Sequence, residues 1–144
     1  FIGASSHISA RYIISYNSKV EEQSSSGLIV STPAGSTGWL SSVFNMAYGI
    51  TGLFEKNLLL KQPRLNPDEL LFAVREPFQS IRSQIGITSG LLNQDSILKL
   101  ESLMPAHGVI FSDGIESDFL TFNSGAIATI GLAQETANLV THPN

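Results

Sequence analysis

The sequence predicts a mainly β fold, an antiparallel β-sandwich with one short helix. Three observations point there. Short apolar segments recur at hairpin spacing, with turn residues between them. A period of two dominates the chain and gives way to a period of 3.6 only between Thr37 and Gly52. Strands do not alternate with helices, so no βαβ unit and no Rossmann-type domain is legible.

Ile8–Tyr16 opens the pattern: Ile8, Ala10, Tyr12 and Ile14 alternate with mostly polar neighbours, as in a half-buried strand. Asn17-Ser18-Lys19 is a turn, and Val20–Gln23 returns as a polar hairpin partner. Ser24–Gly27 reads as a flexible break. Leu28–Ser31 is a short apolar run of the kind that fills a buried strand. Thr32–Ser36, with Pro33 and Gly35, is a loop. Trp39, Leu40, Val43, Phe44, Ala47 and Tyr48 then fall at helical spacing. Ser36 or Thr37 is placed to cap that helix, because a hydroxyl there can accept from free backbone N–H groups. Gly49 and Gly52 mark its end. Lys56–Pro67 is loop-like. Further strands are expected near residues 70–75, 83–88, 96–103, 108–111, 119–122, 126–132 and 136–140. Asn93-Gln94-Asp95, Asp113-Gly114 and Asn123-Ser124-Gly125 supply turns among them.

The bulk properties bound the function. At 144 residues the chain is expected to be a single domain spanning 1–144, large enough for a core without a disulfide or metal staple. Hydrophobic residues make up 42%, which excludes a disordered tail. Eight Lys plus Arg stand against 12 Asp plus Glu, with no basic cluster, so neither a nucleic acid nor an acidic membrane is the expected partner. With no cysteine, disulfides, thiolate metal sites and thiol catalysis are all excluded. No apolar run approaches the roughly 18 residues of a membrane span. A cytoplasmic protein is expected. The chain begins at Phe1, without Met or a basic leader, and reads as a piece of a longer protein.

The segment Ser31-Thr32-Pro33-Ala34-Gly35-Ser36-Thr37-Gly38-Trp39 carries the most chemistry. It joins a predicted buried strand to the predicted helix. Gly35 lets a ligand approach the backbone closely, Ser36 and Thr37 offer hydroxyls, and the helix start offers N–H groups. Two readings follow: a capped helix after a tight turn, or a site for phosphate or ribose oxygens. It is not a Walker A loop, because the Lys that should follow the last Gly is absent.

Gly27-Leu28-Ile29-Val30-Ser31-Thr32-Pro33-Ala34-Gly35-Ser36-Thr37 resembles the signature of the ATP-dependent NAD kinase family, and Phe111-Ser112-Asp113-Gly114-Ile115 resembles an Asp-Gly turn of the same domain. The resemblance implies the C-terminal β-sandwich of a two-domain phosphotransferase. NAD lies between the domains, and ATP or polyphosphate donates a phosphoryl group to the 2′-hydroxyl of the adenosine ribose. The missing N-terminal α/β domain carries the Gly-Gly-Asp-Gly motif and the base, and ATP and Mg²⁺ belong to the complete protein. No catalytic residue and no metal ligand is assigned to this chain, and no cofactor is expected to stay bound to it alone.

Carried over by position, Thr37, Gly38 and Trp39 fall where the family has the Thr-Ala-Tyr that contacts the nucleoside parts of NAD. Ser31, Ala34 and Ser36 fall in the loop leading there. Ser26 stands where the family has an Asp that holds a ribose, and it lacks the charge for that bond. Trp39 replaces a Tyr; it can stack but has no phenol. Arg75-Glu76-Pro77 lies near the family's Arg-Pro strand, with a Glu inserted. The family's Asn-Glu pair is absent. The implied partners are NAD or a related nucleotide, the missing domain, and a second copy in a homo-oligomer. Alternatives are a lipid- or sugar-type kinase relative and a non-catalytic nucleotide-binding or oligomerisation module.

The other polar residues read as structural. His7, His107 and His142 show no ligand spacing. Asp113, Glu116 and Asp118 make a solvated hairpin rather than a calcium loop. Trp39, Phe44 and Tyr48 read as core-facing, with Trp39 drawn toward ligand by the resemblance. Arg11 and Arg75 are each expected to pair with a carboxylate, and Arg75 beside Glu76 also suggests a site.

Overall fold

The structure is a computed structural model, and it describes residues 1–55, 62–112, 115, 117–135 and 137. Within these, ten strands form two antiparallel sheets, with one α-helix and a 3-10 turn. The strands are β1 (Ile2–Ala4), β2 (Ala10–Tyr16), β3 (Lys19–Ser25), β4 (Leu28–Ser31), β5 (Leu70–Val74), β6 (Ser89–Leu92), β7 (Leu98–Ser102), β8 (Gly108–Ile110), β9 (Leu120–Thr121) and β10 (Ile127–Ile130). One sheet runs β6-β5-β4-β1-β8-β9, the other β10-β7-β2-β3. The expected mainly β, sandwich-like fold with one helix is therefore present. No helix among the described residues is long and apolar enough to cross a membrane.

Alternation builds the smaller sheet. Ala10, Tyr12 and Ile14 on β2 are fully buried, and β7 places Leu98 and Leu100 beside them. The intervening Arg11 faces out and pairs with Glu22 of β3 at 2.8 Å, as expected of it. That contact is partly in water and is worth at most about 1 kcal/mol. Asn17 and Ser18 take φ of 47° and 63°, the two left-handed residues that a tight hairpin needs to match strand twist.

The larger sheet is covered on both faces at its centre. On β5, Phe72 and Val74 join the core between the sheets. Leu71 and Ala73 point the other way and hold Leu40 of the helix α1 (Trp39–Gly52). Burial on both faces explains why β5 reads as an unbroken apolar run.

Several expectations fail in detail. Ile8 is exposed and β2 starts at Ala10. The supposed break at Ser24–Gly27 is shorter, because β3 continues to Ser25. Its hydroxyl meets the Tyr12 hydroxyl at 2.7 Å inside the core, so a buried partner keeps a serine-rich segment in the ladder. No strand forms over 83–88. There the Glu21 carboxylate accepts from the backbone N–H groups of Gly86 (3.2 Å) and Ile87 (2.8 Å), replacing a neighbouring strand. Pairing resumes only at β6, which the sequence did not signal. The three residues of β1 are too few to show a period.

Neither Ser36 nor Thr37 caps α1. A 3-10 turn, Ala34–Thr37, takes up both, and Gly38 occupies the cap position without a side-chain bond. Gly49 lies inside the helix, which runs to Gly52. The expected strand at 136–140, the Asp113-Gly114 turn, His142, Asp113 and Glu116 of the acidic cluster, and Lys56–Lys61 lie outside the described residues.

Burial pushes the Tyr12 phenol up to about 12, opposed by its bond with Ser25 and assisted by the Glu21 charge. Gln23 completes this network: its amide donates to the Ile87 carbonyl at 2.7 Å and to Glu21. The β2–β3 hairpin and the 83–88 segment are thus tied by a buried polar cluster in which each member has a partner.

Candidate functional site

β4 delivers Ser31 to the end of the larger sheet, and the loop that follows braces itself. Thr32 Oγ1 accepts from the Gly35 N–H at 3.1 Å. Ser36 Oγ donates to the Pro33 carbonyl at 2.7 Å, and Ser31 Oγ donates to the Thr32 carbonyl at 3.0 Å. Gln62 donates from outside the loop to the Ser36 carbonyl at 2.7 Å. These bonds hold the loop before any ligand arrives.

The loop borders a cavity of about 700 Å³. Ser31, Ala34, Thr37, Gly38 and Trp39 line it, facing Phe1, Phe111 and Ser112. Five of the seven residues singled out in the sequence therefore share one cavity. Ser36 does not line it, because its hydroxyl is turned to Pro33. Ser26 lies in a neighbouring cavity of about 330 Å³ with His7 and Arg75, and the two cavities share only Phe1. Ser31 is mostly buried, with its proton committed to Thr32. Thr37 is exposed, and its hydroxyl makes no bond among the described residues, which leaves it to a ligand.

Trp39 is 46% exposed, so it is not the core anchor of the helix; Leu40, at 1%, is. Phe44 and Tyr48 are half-buried. The Phe1 ring stacks on the indole at 5.3 Å and 18° between planes. Phe1 sits there because Gly3 and Gly27 leave room: a Cβ on either would come within 2.5 Å of the ring. Gly27 also has φ of +96°, which side-chain-bearing residues rarely adopt.

The Arg75 guanidinium is 4.8 Å from the indole centroid and 6.0 Å from that of Phe1. On the far face of the indole its distance to Phe1 would approach the sum of the two ring distances. It therefore lies beside the Phe1 ring and not across the indole from it. The expected carboxylate partner is not found: among the described residues Arg75 makes no ion pair, and the one hydrogen bond of its guanidinium, at 3.4 Å, goes to the Ser26 carbonyl.

Among the described residues, no His, Asp, Glu, Lys or Tyr lines the 700 Å³ cavity. These residues can stack, exclude water and donate or accept hydrogen bonds. No three His, Asp or Glu side chains among the described residues come together to hold a metal.

Sequence reasoning missed Phe1 and Phe111; it gave His7 a surface or hydrogen-bonded structural role, and His7 is exposed. The paired small residues Gly3 and Gly27 were the available signal for Phe1, but their meaning depends on β1 lying beside β4. His107 is structural, a turn residue with φ of 63° whose carbonyl accepts from Ser5. The chain matches no known family model, and no curated protein matches it.

Proposed function

We propose that this chain is the acceptor-binding domain of an NAD kinase-like phosphotransferase, whose full-length form transfers a phosphoryl group from ATP or polyphosphate to NAD. One observation carries the reading: the Ser-Thr-Pro-Ala-Gly-Ser-Thr loop borders an open cavity beside a half-exposed indole, with the Thr37 hydroxyl unspent. Gly38 lets a nucleoside approach the backbone, Trp39 offers its ring to the base, and Thr37 offers a hydrogen bond to a sugar oxygen. Phosphoryl transfer is mostly positioning and charge neutralisation, and this wall supplies the positioning. On this reading ATP, Mg²⁺ and the base come from the other domain, and the protein works in the cytoplasm as a homo-oligomer.

The test is an NADP-formation assay with NAD, ATP and Mg²⁺, run on the full-length protein and on the 144-residue chain. Turnover is expected from the former and none above a no-protein control from the latter. An inactive full-length protein that also fails to bind NAD would refute the reading.

A further inference from the structure

The cavity beside Arg75 differs from the loop cavity in kind. It is bounded by Ser6, His7 and Ser9 on the β1–β2 loop and by Ser26 and Arg75 across from them. Arg75 is fixed at its base: its N–H donates to the Gly27 carbonyl at 2.8 Å, and its carbonyl accepts from the Ser26 N–H at 2.9 Å. The indole and the Phe1 ring hold the guanidinium from the side. Among the described residues no carboxylate lines this cavity. Glu76, next in the chain, has a left-handed backbone (φ 46°), is exposed and makes no ion pair with Arg75. Ser26, where the resembled family has an acid, adds no charge. A half-buried guanidinium, five donors on a planar group, is thus left with one long bond to a carbonyl.

We propose that this cavity is a binding site for a tetrahedral oxyanion, the phosphate group of a phosphorylated ligand. Arg75 supplies charge and paired donors. Ser6, Ser9, Ser26 and His7 line the same cavity and bring hydroxyl and ring N–H donors for the several oxygens of a phosphate. The cavity adjoins the Phe1–Trp39 stack, so a phosphate here lies beside whatever ring stacks on Trp39. The site does not require that the acceptor be NAD.

Trp39 is the sole tryptophan, and Arg75 lies against it, so indole emission reports directly on the site. Inorganic phosphate, acetate, and sodium chloride at matched ionic strength are titrated into the 144-residue chain. Phosphate is expected to give a saturable emission change in the millimolar range, and the other two none. Arg75→Met, which keeps the apolar stem, should weaken it at least tenfold, and His7→Gln, in an exposed loop, severalfold. Circular dichroism checks that both variants stay folded; should Arg75→Met unfold, His7→Gln decides. The proposal is overturned by the absence of a saturable phosphate response, by an equal response to acetate or chloride, or by folded variants that bind phosphate as the parent does. Because NAD is not in the cuvette, a failure of the kinase reading leaves this result untouched.

Discussion

Replacing Trp39 with alanine separates a binding surface from a structural anchor. A buried Trp or Phe cut to Ala costs about 3–5 kcal/mol. Trp39 is 46% exposed, and its specific contacts are the Phe1 stack and the Arg75 guanidinium. An aromatic pair contributes about 0.5–1.5 kcal/mol, and a partly solvated cation–π contact about 0.5–1 kcal/mol. Trp39→Ala should therefore destabilise the chain by about 1–2.5 kcal/mol, with Leu40 still seating α1 on Leu71 and Ala73. If a base stacks on the indole, the lost stacking is worth about 1–3 kcal/mol, a loss of roughly 5- to 150-fold in affinity. Urea unfolding gives the first number, and calorimetric titration of NAD into the full-length protein gives the second. A stability loss above about 4 kcal/mol would mean that Trp39 is a core residue after all. Unchanged affinity in a folded variant would refute the stacking argument.

Three further outcomes follow from particular contacts. Gly27→Ala puts a methyl 2.5 Å from the Phe1 ring and 2.8 Å from the Ile2 carbonyl at a positive φ; it should destabilise by more than about 1 kcal/mol and shift Trp39 emission as the ring is displaced. The Tyr12 phenol keeps its proton up to about pH 12 when folded and loses it near pH 10 when unfolded. Between those values the unfolded chain binds fewer protons, so stability is full below pH 10 and falls by about 2–3 kcal/mol on the way to pH 12; Tyr12→Phe should remove that slope in alkaline urea titrations. Light scattering at micromolar concentration should give a mass above the monomer, since Met46, Ile50, Leu53 and Phe54 leave an apolar face on and just beyond α1; a monomeric mass would refute it.

What could be read in advance depended on whether the determinant was local. The β2–β3 hairpin was legible because alternation and an Asn-Ser turn lie within one stretch of chain. The switch to helix at Trp39 was legible for the same reason. The segment over 83–88 was misread because its partner is a carboxylate more than sixty positions away, and nothing in its own residues announces Glu21. The cap was misread because Ser36 has two uses for its hydroxyl, and the 3-10 turn takes it to Pro33.

The site divides along the same line. The Ser31–Trp39 loop is contiguous, so a motif located one wall of the cavity. The opposite wall is assembled from Phe1, Phe111 and Ser112, and the charged cavity next to it from the β1–β2 loop and the end of β5. These residues meet only because β1 enters between β4 and β8, bringing Gly3 beside Gly27 and Phe1 against Phe111. Arg75 shows the consequence most clearly. In the sequence it stands next to Glu76, and an ion pair was the natural reading; in the fold Glu76 has a left-handed backbone, the two make no ion pair, and the guanidinium lies against the aromatic pair. A cation that a local reading neutralises is thereby left available, and it is this residue that joins the stacking surface to a place for phosphate.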